Sequence, residues 1–155
     1  MSASDRDDLD QLIRRVDPDR WLATRFIADP SARADVIALY AYDHELARAA
    51  VVASTDLLAE IRLTWWREVL DQAFGVGPVR RHPTAEALAD VVRRRSLDRA
   101  PLEAMIDARV EALDHPTMDE HTAANWADGV GGSAAVAAAV ILDRSGDVEI
   151  GRAHV

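Results

Sequence analysis

Residues 55–74 constrain the fold more than any other segment, because they carry apolar residues on two sides of one predicted helix. These apolar residues form two series, and within each series successive members are three or four residues apart. The members are Leu58, Ile61, Trp65 and Val69 in one series, and Leu63, Trp66, Leu70 and Phe74 in the other. A helix that is apolar on two sides needs neighbours on both sides. The pattern therefore predicts a central helix in an all-α, multi-helix bundle.

The rest of the chain also has helical periodicity, and no segment alternates as a strand would. Asp17-Pro18, Asp29-Pro30 and Thr55 match helix N-caps, with proline at the first helical position in two cases. The predicted helices cover residues 7–16, 18–26, 30–50, 55–74, about 84–92, 101–113 and 118–142, the last interrupted by Gly129, Gly131 and Gly132. These glycines fit either a close helix approach or a kink.

Composition excludes several classes of protein. The chain has 155 residues, of which 49% are apolar, so it predicts one domain with a packed core. The net charge of −9 argues against a nucleic-acid partner, and the basic run Arg93-Arg94-Arg95 is expected in the last turn of a helix. The chain has no cysteine, which is typical of a protein in a reducing compartment. Residues 1–10 are acidic and polar and do not have the pattern of a signal peptide. The longest apolar run, residues 134–142, is shorter than the roughly 20 residues that span a bilayer. We expect a cytoplasmic protein, at most peripheral to a membrane.

Six segments resemble the squalene/phytoene synthase family, in the order in which that family has them. Residues 38–42 (Ala-Leu-Tyr-Ala-Tyr) resemble the start of the helix with the family's first aspartate motif. Residues 60–68 resemble the helix that follows it, which has the pattern Arg-Leu-x-x-Trp-Arg. The other matching segments are residues 19–23, 82–89 (starting with His-Pro), 101–109 and 125–142. The resemblance covers roughly residues 17–145 and corresponds to about the first half of the family's domain.

The resemblance implies a bundle of the isoprenoid (prenyl) synthase type around a deep apolar cavity. In active members, aspartates on two facing helices bind Mg²⁺, which holds the substrate diphosphates. The family's activity is the head-to-head condensation of two prenyl diphosphates in isoprenoid and carotenoid biosynthesis. Departure of a diphosphate needs multivalent cations, and carboxylates are the ligands that Mg²⁺ prefers.

The chain departs from the family at the first metal motif. Aligned on Tyr40, the three aspartates of that motif fall on Ala47, Arg48 and Val51, none of which can bind Mg²⁺. The second motif lies beyond the matching part of the chain. We therefore assign no catalytic residue and no metal ligand.

Three residues on the same helix are candidates for the wall of a substrate cavity: Tyr40, Asp43 and His44. Asp43 lies on the same helix face as Tyr40. It could be a relocated ligand for a metal or a substrate, but we favour a carboxylate that is paired with an arginine. His44, where active members usually have an arginine, is interpreted as a hydrogen-bonded spacer. Glu45 and Arg48 are spaced to form a solvated ion pair.

Two further pairs need a choice between function and structure. Asp107 and Glu111 lie one helical turn apart and could hold a divalent ion, although an exposed helix surface is the commoner arrangement. Trp65 and Trp66 could stabilise a carbocation, but their division between the two apolar series favours core packing.

Two functions therefore remain open. If the chain is a prenyltransferase, it needs Mg²⁺ and prenyl diphosphates. The alternative is a non-catalytic member with the same fold that acts as an assembly or scaffold factor with a protein partner, similar to the respiratory complex I assembly factors, or a truncated, inactive fragment. The replacement of all three metal positions favours the non-catalytic alternative, and peripheral contact with a membrane is compatible with both.

The last six residues are expected to be foreign to the protein. Residues 150–155 (Ile-Gly-Arg-Ala-His-Val) are what one reading frame of a widely used sequencing adapter encodes. We expect residues 1–149 to be the N-terminal part of a single squalene/phytoene synthase-like domain, with the native protein continuing past Asp147.

Overall fold

The computed structural model describes the backbone of residues 3–75, 77–115 and 117–152, and the side chains of residues 5–75, 77–115 and 117–143. These residues form helices and turns without a strand, as the sequence predicts. The helices are α1 (Ala3–Val16), α2 (Pro18–Thr24), α3 (Pro30–Val51), α4 (Asp56–Phe74), α5 (Pro83–Arg95), α6 (Arg99–Asp114), α7 (Glu120–Ala127), a π-helical turn (Asp128–Gly132) and α8 (Ser133–Arg152).

The predicted helix starts are confirmed by their caps. The side chain of Asp17 accepts a hydrogen bond from the backbone N–H of Arg20, and Asp29 accepts from Ser31 at 3.0 Å. The hydroxyl of Thr55 accepts from the N–H of Leu58 at 3.3 Å. Each cap satisfies an N–H group that has no partner inside its helix, which stabilises a helix by about 1 kcal/mol.

Several predicted boundaries were wrong. Helix α1 begins at Ala3 rather than residue 7, α5 ends at Arg95 rather than about residue 92, and the last helix ends at Arg152 rather than residue 142.

Two further boundaries have a clear local reason. Helix α2 ends at Thr24 rather than Phe26, whose side chain is largely exposed and makes no core contact that would extend the helix. Helix α6 begins at Arg99, so Pro101 lies in its first turn, where its missing N–H costs no hydrogen bond.

The glycine-rich interruption of the last helix is a π-helical turn. A Cβ atom on Gly129 would lie 2.7 Å from the Cβ of Ala108, closer than two carbon atoms can approach. Gly129 is therefore needed for the contact between the π turn and α6. Both alternatives from the sequence are present, a close helix approach and an irregular helix at the same place.

The central helix is α3, not α4. Helix α3 contacts α1, α2, α4, α5, α6 and α8. Of the two apolar series on α4, the one with Leu63, Trp66 and Leu70 is buried, whereas Leu58 and Ile61 at the start of the other are exposed. The prediction that α4 is covered on both sides is wrong for its N-terminal half, where Leu58 and Ile61 are exposed, whereas Val69 near the end of the same series is fully buried.

A continuous apolar area therefore remains exposed around the turn between α3 and α4. We call it the α3–α4 apolar surface, and it consists of Val51, Val52, Leu57, Leu58 and Ile61. Val51 is 82% exposed and Leu57 is 65% exposed. Such an area is typical of an interaction surface rather than of a scattered set of surface residues.

The basic run lies in the last turn of α5, as predicted, and also has a tertiary role. Arg94 and Arg95 each donate to the buried carboxylate of Asp35 on α3, at 2.6 Å and 2.7 Å. The hydrogen bond with Asp35 raises the pKa of Arg94 above its usual value. This cluster joins α3 to α5 from inside the bundle.

Candidate functional site

The three positions that the resemblance aligns with the family's first metal motif lie on the exposed side of α3, near its C-terminal end. The side chains of Ala47, Arg48 and Val51 are all exposed. Arg48 forms the predicted ion pair with Glu45, with an N–O distance of 3.5 Å. No atom of these three side chains is a metal ligand, so the residues present do not fit Mg²⁺ at this position.

Asp43, one turn earlier on α3, is buried and paired with two arginines. Its Oδ2 accepts from Nη1 of Arg20 on α2, and its Oδ1 accepts from Nη2 of Arg109 on α6, each at 2.6 Å. Burial by itself would lower the pKa of Arg20. The hydrogen bond to Asp43 and the negative charge of that carboxylate outweigh the effect of burial, so the pKa of Arg20 is raised. The sequence allowed two interpretations of Asp43, a relocated ligand or a carboxylate paired with arginine. The structure has the second arrangement.

Tyr40 and His44 lie beside Asp43 and are both half-buried. The guanidinium carbon of Arg20 is 5.1 Å from the centroid of the Tyr40 ring, a cation–π distance. Tyr40 and Asp43 therefore share one arginine, which joins α2 to this face of α3. Tyr40, Asp43 and His44 lie outside the described clefts, and their role as cavity residues stays a prediction.

Tyr42 is a residue whose importance the sequence did not reveal. Its hydroxyl donates to the backbone carbonyl of Leu102 at 2.9 Å, and its ring is fully buried against Trp66. Burial raises the pKa of Tyr42 above its usual value. The sequence signal was available: Tyr42 lies between Leu39 and Leu46 at helical spacing, on the side of α3 that enters the core.

The other predicted carboxylate pair, Asp107 and Glu111, is exposed on α6. Asp107 forms an ion pair with Arg67 on α4 at 2.6 Å. Among the residues that the structure describes, no group of three or more histidine, cysteine, aspartate or glutamate side chains could hold a metal ion. Asp107 and Glu111 thus lie on an exposed helix surface, the alternative that the sequence favoured.

An open cleft of about 350 Å³ lies between the C-terminal part of α3, α4 and the residue before α5. We call it the tryptophan cleft, and its lining residues are Glu45, Arg48, Ala49, Val52, Arg62, Trp65, Trp66 and His82. It therefore includes one of the three substituted motif positions and two positive side chains. Its volume is within the range of small binding sites.

Aromatic rings form the inner wall of the tryptophan cleft. Trp65 and Trp66 meet edge to face with ring centroids 4.9 Å apart, and the imidazole of His82 packs against both. Trp66 is buried, as core packing predicts, whereas Trp65 is only half-buried and also lines a shallower groove on its other side. The Nδ1 atom of His82 is buried without a hydrogen-bond partner within the described chain. An unpaired buried polar atom is uncommon and costs free energy.

The helical run Glu120–Asp143 has 24 residues and is long and apolar enough to cross a membrane, by length and composition alone. Core helices of soluble proteins meet the same criterion, and no firm localisation follows from it.

The sequence model of the squalene/phytoene synthase family matches residues 13–154, nearly the whole chain. No curated protein and no solved structure matches the chain.

Proposed function

Because the chain belongs to the squalene/phytoene synthase family, we propose that it is a member that has the family's helical fold without its diphosphate chemistry. Its role in this proposal is to bind a protein partner as an assembly or scaffold factor. This role is similar to that of the complex I assembly factors, which its sequence resembles. The absence of cysteine supports a cytoplasmic location for this role.

One observation carries the proposal: the positions that correspond to the metal ligands cannot bind a metal. The side chains of Ala47 and Val51 have no oxygen atoms, and Arg48 adds a positive charge that repels Mg²⁺. All three side chains are exposed, so their identity is not required by core packing.

Asp43 does not replace the missing ligands. Both of its oxygens accept hydrogen bonds from arginine at 2.6 Å, and the Arg109 side chain is only 7% exposed. Release of Asp43 toward a metal would leave that guanidinium buried without a counter-charge, which costs several kcal/mol. The carboxylate therefore supports the fold rather than a reaction.

The exposed side of α4 supports the second half of the proposal, the binding of a partner. The α3–α4 apolar surface borders the tryptophan cleft, because Val52 belongs to both. Apolar side chains beside tryptophan and arginine have the composition of an interface core.

A direct test is incubation of the purified chain with farnesyl or geranylgeranyl diphosphate and Mg²⁺. We expect pyrophosphate release no faster than in the buffer blank, with circular dichroism confirming that the chain is folded. Release that requires both the chain and Mg²⁺ would show that the protein is a prenyltransferase, the alternative function, and would overturn the proposal.

A second test measures metal binding directly. Mn²⁺, a spectroscopic substitute for Mg²⁺, is titrated into the wild-type chain and into the triple variant A47D/R48D/V51D, and free Mn²⁺ is followed by electron paramagnetic resonance. We expect binding by the variant and none by the wild type. The variant S54D/R81D/V136D adds three exposed aspartates at separate places in the sequence, makes the same change in net charge and is the matched control. Wild-type binding as tight as that of A47D/R48D/V51D would contradict the proposal.

A further inference from the structure

Resting on the proposed partner-binding role, we infer that the tryptophan cleft and the α3–α4 apolar surface together bind an apolar segment of a protein partner that carries carboxylate groups. The cleft supplies positive charge and aromatic surface, and the apolar surface extends the contact along α4.

The positive charge in the cleft is available to a ligand. Arg62 is exposed and makes no hydrogen bond or ion pair within the described residues. Arg48 has only the long contact with Glu45, and its side chain is 55% exposed. One negative and two positive side chains thus line the cleft, whereas the whole chain has a net charge of −9. This local excess is complementary to carboxylates and not to a basic segment.

The aromatic wall offers apolar contact next to these charges. Trp65 is half-buried and lies between the tryptophan cleft and the shallower groove that Ile61 helps to line. A side chain that packs on Trp65 would therefore contact both parts of the surface. Tryptophan and arginine are the residue types that most often dominate binding energy at interfaces.

The charges around Trp65 also give the bound segment an orientation. The groove on the far side of Trp65 contains Glu60, and its remaining charges, Glu68 and Arg80, are already paired with each other. Carboxylates of the partner should therefore face Arg48 and Arg62 on the α3 side. Apolar side chains of the partner should lie along α4, where Leu58 and Ile61 are on one face of the helix.

The experiment uses fluorescence anisotropy with fluorescein-labelled synthetic peptides. The probe is a peptide of alternating leucine and glutamate. Two matched peptides replace every glutamate by lysine or every leucine by serine. We expect the leucine–glutamate peptide to bind with saturation, the other two to bind at least about tenfold more weakly, and added salt to weaken the binding.

Variants of exposed residues then locate the site without disturbing the fold. R48E/R62E should weaken the leucine–glutamate peptide at least about tenfold, since it changes attraction into repulsion. The control R6E/R15E makes the same change in net charge on α1 and should leave binding unchanged. Equal effects of the two double variants, or equal binding of the glutamate and lysine peptides, would overturn the inference.

Other occupants of the surface are tested in parallel. A dimer in light scattering that R48E/R62E dissociates would overturn the inference in favour of a second copy of the chain. Flotation with phosphatidylglycerol–phosphatidylcholine vesicles that depends on Arg48 and Arg62 would overturn it in favour of a lipid surface. A longer product of the same gene could bury Leu58 and Ile61 and no longer bind the peptide. In that case the surface is covered by another part of the same chain, and the inference is also wrong.

The outcomes separate this inference from the proposed function. If the peptide does not bind and no pyrophosphate is released, only the inference of an acidic partner segment is excluded, and the proposed non-catalytic role stands. Pyrophosphate release removes the proposed function whatever the peptides do.

Discussion

Helix α3 contains two regions of opposite character, separated by one helical turn. Around Asp43 the helix is buried, and the carboxylate joins α2 and α6 through Arg20 and Arg109. At Ala47, Arg48 and Val51 the helix faces solvent and touches no other charged group except Glu45 within the described chain. Helix α3 thus uses its buried acidic side chains, Asp35 and Asp43, to assemble the bundle, and it has no acidic side chain at the three positions that the resemblance aligns with the family's metal motif.

The largest effect is expected at Asp43. The substitution Asp43→Ala leaves the buried guanidinium of Arg109 without a counter-charge, so the free energy of unfolding should fall by about 3–5 kcal/mol. Urea denaturation followed by circular dichroism measures this. The triple variant D43L/R20M/R109M should regain most of the loss, because the buried charges disappear together. A loss of less than about 1 kcal/mol for Asp43→Ala would show that the cluster is not structural.

The two apolar series of α4 extend the comparison from charged to apolar side chains. Leu63 is fully buried, and Leu63→Ala should lower the free energy of unfolding by about 2–5 kcal/mol. Ile61 is 55% exposed, and Ile61→Ala should change the free energy of unfolding by about 0.5 kcal/mol or less. The same urea titration compares them. Similar losses for both would mean that the exposed series is covered in solution.

A smaller effect is expected at Tyr42, within the buried region of α3. Tyr42→Phe keeps the ring contact with Trp66 but removes the hydrogen bond to the carbonyl of Leu102, which lies inside α6 and keeps its helical hydrogen bond. The expected loss is about 0.5–1.5 kcal/mol in the free energy of unfolding at neutral pH. A stability equal to that of the wild type would show that the hydroxyl contributes nothing there.

The raised pKa of Tyr42 adds a dependence on pH. The unfolded chain loses the phenolic proton near pH 10, whereas burial holds it in the folded protein. Stability is therefore unaffected below about pH 10 and falls as pH rises above it, because only the unfolded state gains ionisation. Absorbance at about pH 11 should show no tyrosinate from Tyr42 in the folded protein, so the folded wild type and folded Tyr42→Phe should give the same tyrosinate signal. Between about pH 9 and 11, Tyr42→Phe should lose less stability than the wild type.

The smallest effect belongs to the exposed region. Glu45→Ala removes the 3.5 Å ion pair with Arg48, whose side chain is 55% exposed. Solvent and salt screen such a pair, so the expected change is between zero and about 1 kcal/mol. Thermal unfolding at low and high salt measures it, and a loss comparable to that of Asp43→Ala would remove the distinction between the two regions.

Much of the helical architecture followed from local rules. The caps at Asp17, Asp29 and Thr55 were predictable because a short polar side chain beside a helix start satisfies nearby N–H groups without help from the rest of the protein. The paired state of Asp43 was also favoured, although its partners were not predicted. Arg20 and Arg109 are 23 and 66 residues away in sequence, and only packing of α2 and α6 against α3 brings them together.

The wrong choice of central helix has a physical cause. An apolar series on a helix shows that a face is suited to burial, but not which neighbour covers it. Leu63 and Ile61 look equivalent in the sequence, and only the positions of α3, α5 and α6 decide that one is buried and the other exposed.

By itself, the sequence determined the all-α class, the three capped helix starts after Asp17, Asp29 and Thr55, and the family, and it predicted the loss of the metal motif at Ala47, Arg48 and Val51. These are properties of local hydrogen bonding, of periodicity and of side-chain chemistry, which need no knowledge of distant contacts. Only the tertiary structure decided that α3 is central, that Asp43 is held by two arginines and that Trp65 borders an open cleft. Each of these depends on which helices meet, and that is decided by the free energy of packing the whole chain.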